Sequence, residues 1–215
     1  SIAGTGTLTL GSTDYQNLVS NVSGSNSSGF TGNVVLSNNH TLELASAAGL
    51  GTTGQFQFAD ADSEILITGD KDGELGKTLS GGGSVTLSSA AVTATADNSK
   101  YSGTWTLSGG STLKVDSNNG ITADNKLGTG LIKLESDEET LDITLGTGVG
   151  TLDNVVSGTG HVIVTGADEA FNMTGNWTNF TGVFTRTSGN MIVSAVEGSS
   201  GAQNAKNLAK SDYEA

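Results

Sequence analysis

Two short acidic runs are the residues of this chain best suited to chemistry: ADADSE at 59–64 and ESDEET at 135–140. Asp60, Asp62 and Glu64 in the first, and Asp137, Glu138 and Glu139 in the second, put several carboxylates within a few residues of each other. Clustered carboxylates have two main uses. They offer hard oxygen ligands to Ca²⁺, or they form the acid and base of enzymes that cleave polysaccharides. Asp70-Lys71-Asp72-Gly73-Glu74 begins like a calcium loop, but the later ligand positions and the closing bidentate Glu do not follow. Nucleophilic chemistry has less to work with. Serines are numerous, yet no G-x-S-x-G elbow is present, cysteine is absent, and His40 and His161 are the only histidines. Trp177, in the polar stretch NMTGNWTNFTG, is the aromatic residue best placed to touch a ligand. These residues predict no enzyme and no cofactor, with calcium as the one ion the acidic turns suit. Trp177 and the six acids are the candidate binding residues.

The segments around these residues have a period of two. Leu8/Leu10, Val85/Leu87 and Val162/Val164 alternate with residues that are mostly hydroxylated, as do Leu42/Leu44, Trp105/Leu107, Phe56/Phe58, Ile65/Ile67 and Leu141/Ile143. Alternation over about five residues marks a half-buried strand. Between the strands lie stretches of Gly, Ser, Asn and Asp, the residues that tolerate turns and positive φ. No internal segment carries a helical stripe.

The strands repeat. GTGTLTL (4–10), GGGSVTL (81–87) and GTGHVIV (158–164) are spaced by 77 residues. FTGNVVLSNNHTLELA (30–45), YSGTWTLSGGSTLKVD (101–116) and FTGVFTRTSGNMIVSA (180–195) follow them, and the two acidic runs belong to matching segments, 54–68 and 130–144. Fixed-period self-similarity marks a solenoid or an array. The copies are expected near 4–80, 81–157 and 158–198 of one elongated domain spanning 1–198. A tail over 199–215 is expected to be a short helix or a frayed end. Alignment predicts that Trp105 is core, that Phe30, Tyr101 and Phe180 pack or anchor turns, that both histidines face outward, and that the acidic runs line one edge.

Composition narrows the function classes. Twenty-two acids against nine bases give a net charge of −13, which repels nucleic acid and anionic lipid. No run approaches the length of a spanning helix. Tight Asn-Gly or Asp-Gly links between the repeated strands are missing, which disfavours hairpin folds. Stacked coils of roughly 20 to 25 residues fit the uneven polar connections better, so the expected fold is an all-β parallel β-helix.

The words GTGTLTL, YSGTWTLSGGSTLKV and FTGNVVLSNNHTLELA resemble the strand repeats of bacterial autotransporter (type V secretion) passenger domains, over nearly the whole chain to about Ala195. The resemblance implies a right-handed β-helix at the bacterial cell surface, attached to the outer membrane through a separate C-terminal β-barrel or released from it. It further implies an adhesin or self-associating module in cell aggregation, biofilm formation or host adhesion, whose partners are identical chains or host and abiotic surfaces. The alternatives are a carbohydrate-acting β-helix, which needs converging carboxylates in a groove, and a passenger folding or spacer module.

Overall fold

The computed structural model describes residues 2–23, 29–117, 123–146, 150–166, 171–187, 191–193 and 213–214. Short parallel strands wind into a β-solenoid with three faces. Face 1 stacks β1 (Thr7–Leu10), β3 (Asn33–Leu36), β5 (Gln55–Phe58), β8 (Thr78–Gly81) and β11 (Lys100–Tyr101). Face 2 stacks β2 (Val19–Val22), β4 (Thr41–Leu44), β6 (Glu64–Thr68), β9 (Ser84–Ser88), β12 (Thr104–Ser108), β14 (Leu131–Leu134) and β17 (Val155–Gly158). Face 3 stacks β7 (Gly73–Leu75), β10 (Ala91–Ala94), β13 (Thr112–Asp116), β15 (Thr140–Thr144), β18 (His161–Thr165), β20 (Val183–Arg186) and β22 (Tyr213–Glu214). Above β11 the place of face 1 in the winding passes to a three-stranded sheet of β16 (Gly150–Leu152), β19 (Phe171–Met173) and β21 (Met191–Val193).

The change of sheet coincides with α1 (Ala123–Leu127), the only helix among the described residues and one the strand periodicity does not predict. Leu127 is buried, its carbonyl accepts a 2.9 Å hydrogen bond from Trp105 Nε1, and Lys126 Nζ donates to the Asp116 carbonyl. One helical turn thus fills the place a face 1 strand would occupy. Of the expected C-terminal tail, only Tyr213–Glu214 is described, as a strand beside β20; residues 199–212 lie outside the described set.

The alternation in the sequence becomes apolar files along the inside of each face. On face 2, Leu42, Ile65, Val85, Trp105, Ile132 and Val156 lie in register and all are fully buried. Val92, Leu113, Leu141, Val162 and Phe184 do the same on face 3. Each such side chain contributes roughly 1.5–3 kcal/mol by leaving water. Phe30, Tyr101 and Phe180 are buried, as their alignment predicts, and Tyr101 packs edge-on against Trp105 at 5.8 Å.

The 77-residue period has an unexpected geometry. From β1 the chain passes through β3 and β5 to β8, three turns up the same face, and then enters face 2 at β9, the 77-residue equivalent of β1. From β9 it passes through β12 and β14 to β17 and then enters face 3 at β18, the next equivalent. Each copy therefore winds three turns and one further face, so equivalent residues point in three directions. Glycines mark this winding. Gly32, Gly103 and Gly182 are equivalents, and each rests on the carbonyl of the glycine one coil below, Gly6, Gly83 and Gly160 respectively. No side chain fits between such backbones.

Candidate functional site

The winding separates the two acidic runs. Asp60 and Asp62 sit at the corner between faces 1 and 2, with Glu64 opening β6; Asp137, Glu138 and Glu139 sit at the corner between faces 2 and 3. The expectation that they line one edge is therefore corrected. Matching runs in successive copies fall on different corners because a copy is not a whole number of turns.

Within each corner one carboxylate holds the turn. Asp60 accepts the backbone N–H of Asn38 at 2.6 Å, of Ser63 at 2.8 Å and of Asp62 at 3.2 Å. Burial alone would raise its carboxyl, but the hydrogen bonds from the Ser63 side chain and from the Asn38, Ser63 and Asp62 backbone outweigh it and hold the group below the ordinary carboxylate value. At the other corner Glu139 is fully buried and accepts from the Ser136 backbone N–H and, at 3.2 Å, from the Gly110 N–H of the coil below. Carboxylate and hydroxyl have traded places, since Asp60 aligns with Ser136 and Ser63 with Glu139. Both versions close the turn and tie it to the preceding coil. That coil's corner is conserved in shape too: Asn38 and Asn39 both have φ of 57°, and the aligned Gly109 and Gly110 have 63° and 72°.

The remaining acids are freer. Asp62, Asp137 and Glu138 are exposed, and Glu64 accepts a 2.5 Å hydrogen bond from Thr86 Oγ1 one coil above. Asp70 of the calcium-like stretch accepts the Ala47 N–H at 2.7 Å, another link between coils, and Asp72 pairs with Lys114 at 3.3 Å on the surface. Among the described residues no three His, Cys, Asp or Glu side chains gather around a common point for a metal.

Two further expectations are overturned. Trp177 is fully buried, with ring centroids of Phe180 and Phe184 at 5.4 and 6.0 Å, so it is core and no platform for a ligand. His40 faces inward and is only 4 % exposed; its Nε2 lies 3.0 Å from Ser20 Oγ, and burial lowers its pKa and keeps the ring neutral. Its placement in an outward turn fails because the corner folds over it. His161 stands on the outer side of β18 between Thr140 and Val183, as expected.

Sequence reasoning missed Lys77. It is fully buried and donates to the carbonyls of Gly32 at 2.7 Å, Phe30 at 3.4 Å and Thr53, with the Phe30 ring 4.9 Å from Nζ. Burial lowers its pKa. Its equivalent 77 residues on, Asn154, is also buried and donates to the Gly128 and Gly130 carbonyls at 3.1 and 2.9 Å. Both residues satisfy carbonyls of coils below, which is a structural role. The signal was present, because Lys77 continues the inward alternation of Leu75 and Leu79.

What remains on the outside is a set of ladders. On face 2, Ser84, Thr86 and Ser88 lie beside Thr104, Thr106 and Ser108, with Glu43, Glu64 and Lys133 on the same face. Face 3 presents Glu74, Asp116 and Asp142 among threonines. On face 1 one file runs Thr7, Asn33, Gln55 and Thr78. The other runs Thr9, Val35, Gln57, Ser80 and Lys100. A flat ladder of hydroxyls and amides can exchange many weak hydrogen bonds with a partner surface. The chain is thus a parallel β-solenoid that presents polar ladders on its flat faces and exposed acids at its corners. No protein-family model matches it, and no curated protein or solved structure matches it either.

Proposed function

We propose that this chain is a binding rod of a bacterial cell surface, of the autotransporter passenger type, acting in self-association and adhesion and not in catalysis. The observation that carries this reading is the division of labour across the wall: the apolar positions of the repeated words face inward, and the outward positions form ladders rich in Thr, Ser, Asn and Gln on flat faces. The separation of Asp60 and Asp62 from Asp137 and Glu138 on two corners supports binding over polysaccharide cleavage, which needs carboxylates converging on one glycosidic bond. Contacts of this kind are weak one at a time and become strong when many tethered rods meet. Displaying the chain on a non-adherent bacterium is expected to make the cells clump and settle. Cells that carry it in quantity, remain dispersed and bind no surface would contradict the proposal.

A further inference from the structure

Face 1 differs from the other two faces in charge. In a chain of net charge −13, its described outward strand positions carry no carboxylate and one cation, Lys100, whereas face 2 holds Glu43 and Glu64 against Lys133, and face 3 holds Glu74, Asp116 and Asp142 against Lys114. Thr151 and Asn172, outward on β16 and β19 where that place in the winding resumes, are uncharged as well. Acids flank the face only at its corners: the exposed Asp97, between β10 and β11, shares a depression with Lys100, Ser99, Gln55 and Thr78, and the exposed Asp62 lies between β5 and β6.

We infer that face 1 is the docking surface for a second copy of this chain, side by side. This rests on the self-association reading and names the surface that performs it. Two identical rods repel wherever acids meet acids, and like charges brought together at an interface cost several kcal/mol. Face 1 is where that cost is lowest. It also supplies matched groups, because an isologous contact sets Gln57, Ser80 and Asn33 against the same residue types on the partner, each amide or hydroxyl both donating and accepting. Five strands about 4.8 Å apart, each about four residues long, give roughly 300 Å² of projected area. A stable interface takes about 800 Å² per partner. A single pair of rods therefore associates weakly, at high concentration in solution, and an array of tethered rods holds firmly, as cell-to-cell contact requires.

Sedimentation velocity over a concentration series tests this with three proteins: the unaltered chain, a face 1 variant carrying Gln57→Glu and Ser80→Glu, and a face 2 variant carrying Thr86→Glu and Thr106→Glu. All four substituted positions point outward on their strands, and a thermal melt confirms that each variant folds. The expected result is concentration-dependent association of the unaltered chain, lost at least tenfold in the face 1 variant and retained in the face 2 variant. Association should also strengthen as salt rises from about 20 mM to 500 mM, since screening removes the repulsion of the acids elsewhere on the rods and the strand positions of face 1 offer no carboxylate to Lys100. Loss in the face 2 variant alone, or weakening by salt, overturns the choice of face and leaves self-association standing. An unaltered chain that stays monomeric to high concentration overturns both.

Discussion

Alanine at Gly103 is expected to destabilise the rod by about 3 kcal/mol or more, at or beyond the upper end of the usual cost of overpacking. The added methyl would overlap the Gly83 carbonyl oxygen and press on the Tyr101 ring. Neither neighbour has room to give. Tyr101 is fully buried and its hydroxyl is held by the Gly83 and Thr104 carbonyls at 3.0 and 2.9 Å. Gly83 is fixed by the strand it introduces. Relief would require the two coils to part, which breaks the β9–β12 ladder from Ser84 to Ser108. Gly82 is the control. A methyl there reaches only the Ala61 side chain at 4.0 Å, so Gly82→Ala should change stability by less than about 0.5 kcal/mol. Chemical denaturation of the two variants checks both values, and equal effects would mean that the coils do not touch at these glycines.

The second large effect is expected at Trp177. Truncation to alanine removes a fully buried indole and its edge-on contacts with Phe180 and Phe184, and should cost about 3–5 kcal/mol. Phe184 also stacks on Phe171 at 6.5 Å, so the loss spreads through the last described coils. Trp177→Phe should cost much less, because most of the volume and one aromatic edge survive. Thermal melts of both variants decide the matter. A ligand platform would behave in the opposite way, with adhesion lost and the melting temperature unchanged.

Trp177 also shows where the sequence misleads. Its polar neighbours in NMTGNWTNFTG suggest an exposed stretch, yet Phe171, Met173, Gly175 and Trp177 alternate inward without a break. Period two was the better guide than polarity, as it was for Lys77. The strands themselves were legible for the same reason: Val85 and Leu87, or Leu141 and Ile143, need only alternation to be placed inside, and all four are fully buried. The position of the acidic runs was not legible. A 77-residue period gives the length of a copy and says nothing of the angle through which it turns, and that angle decides whether Asp60 and Glu139 share an edge. Nor does a run of acids reveal which member closes the turn. Asp60 does so in one copy and Glu139 in the other, because either side chain reaches the free N–H groups of its corner.

The same geometry locates function. Equivalent residues face three directions, so no outward surface is a repeat of another, and each face has its own charge and its own ladders.

That rotation is tested most directly by disulfide trapping, for which the absence of cysteine leaves a clean background. Thr86 and Thr106 are register partners on face 2, at the spacing of adjacent strands, about 4.8 Å and within disulfide range. Thr9 and Thr86 are 77-residue equivalents on faces 1 and 2, three turns apart. Under mild oxidation the variant with Thr86→Cys and Thr106→Cys should close an intramolecular bond, and the variant with Thr9→Cys and Thr86→Cys should not. Closure of the second pair within one chain, or failure of the first in a folded protein, would contradict the three-and-one-third-turn repeat on which the account stands.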